Sequence, residues 1–187
     1  MMPEVIHLNS SARSDWETPE NIFSPLNRVF NFDLDACASQ DNSKAERFFD
    51  SNKDCISIDD WDADNVWMNP PYLKKKKGQY CTDDFLFKGN EQILKKNIRK
   101  NLCILVNNST EKPSFMFTNW KAVIFFKSRI RFVNPVTKLP QGSPTKGNMV
   151  LIYSNEDNYR MCDNFNWIAK MLKEDNYPNF NGVLLRR

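Results

Sequence analysis

Residues 69–72 have the sequence Asn-Pro-Pro-Tyr, and their groups suit the methylation of an amino nitrogen that is conjugated to a ring. The amino group of adenine is a poor nucleophile because its lone pair is delocalised into the purine. Two acceptors aimed at its N–H bonds, the Asn69 side-chain oxygen and a proline carbonyl, would stabilise the positive charge that develops on the nitrogen. Consecutive Pro70 and Pro71 would hold these acceptors in a stiff loop. Tyr72 offers an aromatic face for an extruded base.

The same four residues could instead form a Pro-Pro turn, with Tyr72 covering the core. The residues before them favour a site. Val66, Trp67 and Met68 form a short apolar run that predicts a buried strand ending at Asn69. Ligands of open α/β sheets bind beyond the carboxyl ends of strands, so the predicted strand delivers the motif to a binding edge.

Apolar patterning along the chain predicts alternating helices and strands. The first helix begins at Thr18 with Pro19, or at Ser24 with Pro25, since each pair suits an N-cap followed by proline. Further helices are predicted at 43–49, 84–100, 113–120 and 162–173. Strands are predicted at 32–36, 55–58, 66–68, 102–106, 122–126, 129–133 and 149–153, the last two forming a hairpin around the loop 134–147.

This alternation predicts an α/β fold of Rossmann-like layout, with a mainly parallel sheet and an antiparallel strand pair toward the C-terminus. No Gly-x-Gly sequence occurs, and the 5 glycines lie far from the first predicted strand. A phosphate-binding loop of the dinucleotide type is therefore not supported. A cofactor without phosphates does not require one.

The composition indicates one globular domain. The 187 residues are 41% hydrophobic, include 14 Phe and 5 Trp, and contain no apolar stretch long enough to span a membrane. Residues 1–13 form a polar tail without the apolar region of a secretory signal, so we expect a cytoplasmic protein. We predict a main domain at 14–155, with a helix and tail at 156–187 packed on it.

Neither a metal site nor a disulfide framework is predicted. The 5 cysteines are odd in number and include no Cys-x-x-Cys pair, so we interpret them as reduced core or surface thiols. They are Cys37, Cys55, Cys81, Cys103 and Cys162.

The formal net charge of +3 is too small to indicate a nucleic-acid-binding protein by itself. Its distribution is more informative, because Lys74, Lys75, Lys76 and Lys77 follow the Asn-Pro-Pro-Tyr motif directly. Four ammonium groups there would suit DNA phosphates, although a solvated face is the ordinary interpretation of such a run. A second basic cluster, at 95–100, is predicted to be a solvated helix face.

Carboxylates precede the motif at two predicted strand ends. Asp35 ends the first strand, and Asp59 or Asp60 ends the next, with Asn69 at a third strand end. A nucleoside-bearing cofactor needs an acidic group for its ribose and a polar group for its adenine, typically at successive strand ends. The alternatives are that Asp35 caps a helix and that the later pair forms a polar turn before Trp61.

Taken together, these residues resemble the small phage- and prophage-type Dam DNA N6-adenine methyltransferases. The similarity runs in order from about residue 14 to 153, and the Trp-x-Thr-Pro and Asn-Pro-Pro-Tyr segments are its most specific marks. The matching segments are Asp15-Trp16-x-Thr18-Pro19, Phe32-x-Leu34-Asp35-Ala36-Cys37-Ala38, Asn42 with Ala45, Asp60-Trp61, Val66 to Tyr72, Ser128 to Phe132, and the apolar run Met149 to Tyr153.

The resemblance implies S-adenosylmethionine as cofactor, double-stranded DNA as partner, and a location in the host cytoplasm for a phage-encoded protein. It makes residues 69–72 the catalytic loop and sets Arg129 near the DNA or the mouth of the active site. The loops 73–84 and 134–147 depart from the family pattern and are the candidate DNA-recognition loops. The resemblance also implies the cofactor contacts. Asp35 is expected at the ribose or methionine end, and Asp59 or Asp60 at the adenine. Further expected contacts are Trp16, Thr18, Pro19 and Asn69.

Other acceptors require the same amino-group chemistry. Cytosine N4, an RNA adenine and a protein glutamine amide remain alternatives, and Asn rather than Ser before Pro-Pro-Tyr favours adenine. A different class of protein is also possible, namely a non-catalytic DNA-binding protein that keeps the fold as a scaffold. The intact Asn69, Pro70, Pro71, Tyr72 and Asp35 weigh against that alternative.

Overall fold

The computed structural model describes residues 16–72, 77–140, 145–174, 177 and 179–187. Within these ranges the chain forms one seven-stranded sheet with helices on both faces. The helices are α1 (Glu20–Phe30), α2 (Thr82–Leu94), α3 (Pro113–Met116) and α4 (Asn158–Met171). The strands are β1 (Leu34–Asp35), β2 (Arg47–Phe48), β3 (Ala63–Met68), β4 (Ile98–Asn107), β5 (Ala122–Phe126), β6 (Asn148–Ser154) and β7 (Gly182–Arg186).

The sheet is mixed, and its strand order is β2-β1-β3-β4-β6-β5-β7. Strands β1 to β4 are parallel neighbours, whereas β6 lies antiparallel between β4 and β5, and β7 is antiparallel to β5. The predicted Rossmann-like α/β fold, with antiparallel strands toward the C-terminus, is therefore confirmed. The chain moves from β1 outward to β2 and then returns past β1 to β3, so the order reverses between β1 and β3.

Two buried clusters fill the two faces of the sheet. On one face, α1 and α4 cover Trp67, Leu105 and Ile152. On the other face, α2 covers Met68 and Ile104. Residues alternate between the faces along each strand, which explains why the central strands are almost continuously apolar.

Gly89 permits the close approach of α2 to the sheet. A Cβ atom built at this position would lie 2.9 Å from Leu102 Cδ2 and 3.3 Å from Met68 Cε. A glycine that weakens an isolated helix therefore has a packing role here, because it brings the start of α2 close to the residues that follow β3.

The predicted helix at 43–49 and the predicted strand at 55–58 are wrong. The chain there forms only the short β2, followed by turns. Local hydrogen bonds explain the difference: Asp50 Oδ1 accepts from the backbone of Asn52 and Lys53, and Asp54 Oδ1 accepts from Ile56. Aspartates that bond to nearby backbone N–H groups stabilise turns rather than regular elements.

The helix predicted at 84–100 is too long. It ends at Leu94, and β4 begins at Ile98, so the basic residues at 95–100 do not share one helix face. Asn155 stabilises this junction by donating to the carbonyls of Ile93 and Ile98, both at 2.8 Å. These contacts come from a residue far along the chain, which local patterning does not detect.

The predicted strand at 129–133 and its hairpin with 149–153 are also wrong. Val133 makes only isolated bridges, to Glu17 and Pro140, while β6 pairs with β4 and β5. The predicted helix at 162–173 begins earlier, at Asn158, and β7 had no counterpart in the sequence prediction. None of the described helices is long and apolar enough to cross a membrane.

Candidate active site

A cleft of about 660 Å³ opens at the carboxyl ends of β1 and β3. This is the point where the strand order reverses, which is where open α/β sheets bind their ligands. The segment before α1 and the turns after β2 complete the walls. Residues from the predicted site that line the cleft are Trp16, Thr18, Asp35, Asn69 and Pro71.

Two hydrogen bonds fix the side chain of Asn69. Its Nδ2 donates to the backbone carbonyl of Trp16 at 3.2 Å, and its Oδ1 accepts from the Tyr72 hydroxyl at 3.2 Å. These partners orient the amide, because only the nitrogen can donate and only the oxygen can accept. An amide oxygen has two lone pairs, so Oδ1 can accept one further N–H bond.

The prolines after Asn69 are anchored by the start of α2. Thr82 Oγ1 donates to the carbonyl of Pro71 at 3.0 Å. Thr82 begins α2, whose capping box joins Cys81 and Asp84. This bond fixes the Pro71 carbonyl, and the carbonyl of Pro70, which directly follows Asn69, is the candidate for the second acceptor of an amino group.

Tyr72 is half-buried, and its hydroxyl points into the protein. The hydroxyl lies 3.2 Å from Asn69 Oδ1 and 3.4 Å from the carbonyl of Leu105. The ring makes an edge contact with Phe132 at a centroid distance of 5.8 Å. Burial raises the pKa of Tyr72, and the Asn148 side chain opposes that rise, so the tyrosine is neutral at physiological pH. Tyr72 also borders a second cavity of about 460 Å³.

Asp35 ends β1 and is only 3% exposed. Its carboxylate accepts hydrogen bonds from the backbone N–H groups of Lys44 at 3.0 Å and Cys37 at 3.3 Å. Burial raises the pKa of Asp35 to about 6, while these donors and the Lys44 charge partly offset the rise. A carboxylate with this pKa is mostly ionised at neutral pH and can bind a cationic or hydroxyl group.

The segment before α1 forms a wall of the cleft. Thr18 is 3% exposed, and its Oγ1 has no hydrogen-bond partner within the described part of the chain. Pro19, rather than Thr18, is the N-cap residue of α1. The hydroxyl of Thr18 therefore does not cap the helix and is available for a ligand in the cleft.

Asp59 and Asp60 do not line the cleft, so the structure does not bring them together with the other expected cofactor contacts. Both precede β3 and therefore lie at the opposite edge of the sheet. Gln92, near the end of α2, and Asn97 donate to the carbonyl of Asp59. Asp60 Oδ1 accepts from the backbone of Asp62. The expected position of both residues at a strand end is wrong, because the strand predicted at 55–58 does not form.

Sequence reasoning missed Asp50, which lies two residues after β2 and lines the cleft. Its backbone donors, Lys53 and Asn52, lower the pKa of Asp50 and keep it ionised. The sequence does contain a signal for this residue, since the carboxylate of Asp50 directly follows the apolar Phe49. The signal is hidden because the segment 43–49 has the pattern of a helix, so no strand end is predicted before Asp50.

The cleft is acidic although the whole chain has a net charge of +3. Its described lining includes the carboxylates of Glu17, Asp35, Asp41, Asp50 and Asp54, and the single cation Lys44. Phe49 and Phe85 supply apolar surface. This lining suits a ligand with a positive charge, hydroxyl groups and a flat ring. No group of three or more His, Cys, Asp or Glu side chains within the described ranges could hold a metal ion.

Of the predicted DNA-contacting residues that the structure describes, neither Lys77 nor Arg129 lines this cleft. Lys74, Lys75 and Lys76 lie outside the described residues. Lys77 and Arg129 are exposed. Of the two candidate recognition loops, the part 77–84 contributes Thr82 to the second cavity, and the part 145–147 contributes Lys146.

Comparison with known proteins assigns the family. The family model described as DNA N-6-adenine-methyltransferase (Dam) matches residues 6–175. A DNA N-6-adenine-methyltransferase of Haemophilus phage HP1 (strain HP1c1) is 27% identical over 147 residues, which cover 77% of this chain and 80% of that protein. A DNA N-6-adenine-methyltransferase of Escherichia phage T1 is 32% identical over 103 residues, covering 54% and 39%, respectively. With most of its length matched by the family model, the chain belongs to the Dam family of DNA N-6-adenine-methyltransferases.

Proposed function

We propose that this protein binds S-adenosylmethionine in the cleft between β1 and β3 and methylates the N6 amino group of an adenine extruded from double-stranded DNA. The observation that carries the proposal is the orientation of Asn69. Its Nδ2 is held by Trp16 and its Oδ1 faces Tyr72, so the acceptor side of the amide is fixed before any substrate arrives. Preorganised acceptors of this kind stabilise charge that develops in a transition state.

The cleft fits the cofactor by size and by chemistry. Its volume of about 660 Å³ lies within the ordinary range of small-molecule sites. When bound, S-adenosylmethionine supplies an electrophilic methyl group on a positively charged sulfur, and an acidic lining suits such a cation. The partnerless hydroxyl of Thr18 and the buried carboxylate of Asp35 can bind its polar groups.

Each cofactor contact has a proposed role. Asp35 binds the ribose or the methionine end, and Asp50 replaces Asp59 and Asp60 as the second carboxylate at a strand end. Trp16 and Thr18 bind the cofactor from the segment before α1, whereas Pro19 does not line the cleft and ends that segment as the N-cap residue of α1. We assign the role of second carboxylate to Asp50 because it follows β2 and lines the cleft.

In the catalytic step, the Asn69 side-chain oxygen and the Pro70 carbonyl accept the two N–H bonds of the adenine amino group. They draw the nitrogen lone pair out of conjugation and stabilise the positive charge that forms on the nitrogen. The proton is lost to water afterwards, because an alkylated amino nitrogen is strongly acidic. No strong general base is therefore required.

The second cavity, which borders Tyr72, suits the extruded base. A base stacked on Tyr72 would present its amino group to residues 69 and 70, as enzymes that act on an extruded base require. Lys77, Arg129 and the lysines at 74–76 are proposed to contact DNA phosphates. Lys146 joins this group because it is exposed at the second cavity.

The proposal is tested by incubating the purified protein with duplex DNA and tritium-labelled cofactor. We expect label in DNA from the wild type, and a loss of about 100-fold or more with Asn69→Ala at nearly unchanged cofactor affinity. Equal, negligible labelling by both proteins, despite cofactor and DNA binding, would refute catalysis by this site.

Mass spectrometry of the labelled nucleosides identifies the acceptor. N6-methyladenine is expected. If N4-methylcytosine, labelled RNA or labelled protein is found instead, the acceptor is cytosine, RNA or protein, respectively, and not a DNA adenine. If calorimetry detects no cofactor binding, that result would favour a non-catalytic DNA-binding protein instead.

A further inference from the structure

The cofactor proposed for the cleft between β1 and β3 is an amino acid derivative, so it brings a carboxylate of its own into an acidic site. The described lining of the cleft contains five carboxylates, and Lys44 is its single cation. Like charges repel over the short distances of a cleft, so a ligand carboxylate needs a cationic partner there. Among the described lining residues, only Lys44 can be that partner.

Lys44 lies in the turns between β1 and β2, and contacts hold it at both its backbone and its side chain. Its backbone N–H donates to Asp35 Oδ2 at 3.0 Å, and its ammonium donates to Glu20 Oε1. The ammonium also lies 6.0 Å from the centroid of the Phe23 ring. Only 15% of the Lys44 side chain is exposed, against 66% of the Glu20 side chain. The charge of Lys44 is therefore fixed at the wall of the cleft.

The start of α1 adds a second donor to the same wall. Glu20 is the first residue of α1, and Thr18 lies two residues before it. Thr18 lines the cleft, and its buried Oγ1 has no hydrogen-bond partner within the described part of the chain. Lys44, through its bond to Glu20, lies next to this segment. An ammonium and a hydroxyl in neighbouring positions suit a carboxylate, which accepts hydrogen bonds from both.

We propose that Lys44 binds the α-carboxylate of S-adenosylmethionine, with the Thr18 hydroxyl as a second donor, and thereby sets the direction in which the cofactor lies. This inference rests on the proposed function. The amino and carboxylate groups of the cofactor share one carbon atom, so its amino group then lies by Asp35, which the backbone of Lys44 contacts. Asp35 is thus assigned to the methionine end, and the ribose and adenine extend toward Phe49 and Asp50.

A purely structural role, in which Lys44 serves only to pair with Glu20, makes a different prediction. Glu20→Gln and Lys44→Met would then have the same effect on cofactor binding, because each breaks the same ion pair. An ammonium has three N–H donors, so Lys44 can bind a ligand carboxylate as well as Glu20. If Lys44 binds the ligand, Glu20→Gln leaves the ammonium in place and recognition of the carboxylate is kept.

The experiment measures the equilibrium binding of two ligands to the full chain by calorimetry. They are S-adenosylmethionine and its decarboxylated form, which keeps the sulfonium, the amino group, the ribose and the adenine. The ratio of the two affinities reports the contribution of the carboxylate. We expect Lys44→Met to lower this ratio about tenfold or more, as loss of a charge-assisted hydrogen bond does, mainly by weakening the binding of S-adenosylmethionine.

Two further variants of Lys44 extend the test. Lys44→Arg keeps the positive charge and should retain most of the affinity ratio. Lys44→Gln is neutral but can still donate to Glu20, so it should lower the ratio as Lys44→Met does. Because Lys44→Gln keeps a donor for Glu20, it provides the same test if Lys44→Met does not fold.

Lys53→Met is the matched control for the loss of a positive charge. The Lys53 ammonium lies 5.2 Å from the centroid of the Phe49 ring, which lines the cleft, whereas Lys53 itself does not line it. Its charge acts on both ligands through screening solvent, so Lys53→Met should change the affinity ratio by less than about twofold.

The outcomes separate this inference from the proposed function. An affinity ratio that the neutral variants of Lys44 leave unchanged, or that Lys53→Met or Glu20→Gln lowers equally, would overturn the role of Lys44 while cofactor binding and DNA methylation stand. A wild type that binds neither ligand would overturn the proposed function and the role of Lys44 with it.

Discussion

The side-chain amide of Asn69 donates to the backbone carbonyl of Trp16, 53 residues earlier in the chain. This hydrogen bond joins the two most specific segments of the sequence and turns the Asn69 oxygen toward Tyr72. Asn69→Asp keeps an acceptor but removes the donor and brings two oxygen atoms together. We expect Asn69→Asp to slow methyl transfer about tenfold, against about 100-fold or more for Asn69→Ala. Single-turnover rates of the two variants test this order of effects. Equal losses of rate in Asn69→Asp and Asn69→Ala would contradict it.

Cofactor affinity should depend on pH through Asp35. Burial raises its pKa to about 6 in the folded protein, from the ordinary value of 3.8. The proposed contact with the cofactor requires the ionised form, so affinity should rise as pH increases through about 6. Calorimetry between pH 5 and 8 measures this, and Asp35→Asn should bind weakly with a flat profile. A wild-type profile that is equally flat would exclude Asp35 as the titrating contact.

The same carboxyl group should influence stability with a defined sign. The folded state binds its proton more tightly than the unfolded state, so Asp35 favours folding at acidic pH, and that contribution is lost as pH rises from about 4 to about 6. Urea unfolding of the wild type and Asp35→Asn is compared across this range. The stability of the variant relative to the wild type should increase with pH, and a constant difference would contradict the raised pKa.

The replacement of Asp59 and Asp60 by Asp50 in the cofactor site can be tested directly. Asp50→Asn should weaken cofactor binding about tenfold, since a charged hydrogen-bonding partner is lost. Asp60→Asn is the matched control, because an asparagine oxygen can still accept from the backbone of Asp62. Equilibrium binding that weakens with Asp60→Asn and not with Asp50→Asn would restore the original assignment.

Gly182 should be essential for the pairing of β7 with β5. A Cβ atom there would lie 2.3 Å from the backbone oxygen of Phe125, which cannot move without breaking the strand pair. Gly182→Ala should lower the free energy of unfolding by about 1–3 kcal/mol. Gly147→Ala is the control, since its Cβ would meet nothing closer than Asn108 Cβ at 3.8 Å. Chemical denaturation of both variants measures this difference in stability. Equal denaturation midpoints for Gly182→Ala and Gly147→Ala would contradict the steric argument.

DNA binding should depend on salt through two exposed lysines, Lys77 after the Asn-Pro-Pro-Tyr motif and Lys146 at the second cavity. Lys77→Gln and Lys146→Gln should each reduce the slope of log affinity against log salt by about 1, because each removes one phosphate contact. Lys95→Gln removes the same charge at the opposite edge of the sheet, where Lys95 pairs with Glu91, and should leave the slope unchanged. Fluorescence anisotropy over a salt series measures all three, and an equal effect of Lys95→Gln would indicate a nonspecific charge effect.

The sequence by itself determined the features that depend on local chemistry. The apolar runs at 66–68, 102–106, 122–126 and 149–153 predicted buried strands, and each lies within a strand of the sheet. The residue types at 69–72 and at Asp35 indicated amino-group methylation with a nucleoside cofactor, because side-chain chemistry and proline stiffness are properties of the residues themselves.

Only the tertiary structure decided which strand ends meet and which side chains face each other. The region 43–58 is predicted wrongly because aspartate turns replace regular elements, and the carboxylate that lines the cleft there is Asp50 rather than Asp59 or Asp60. The bonds from Asn69 to Trp16 and from Tyr72 to Leu105 join residues far apart in sequence. Such contacts arise because β3 and β4 are neighbours in the sheet and the segment before α1 lies at the end of β3, and no local pattern encodes them.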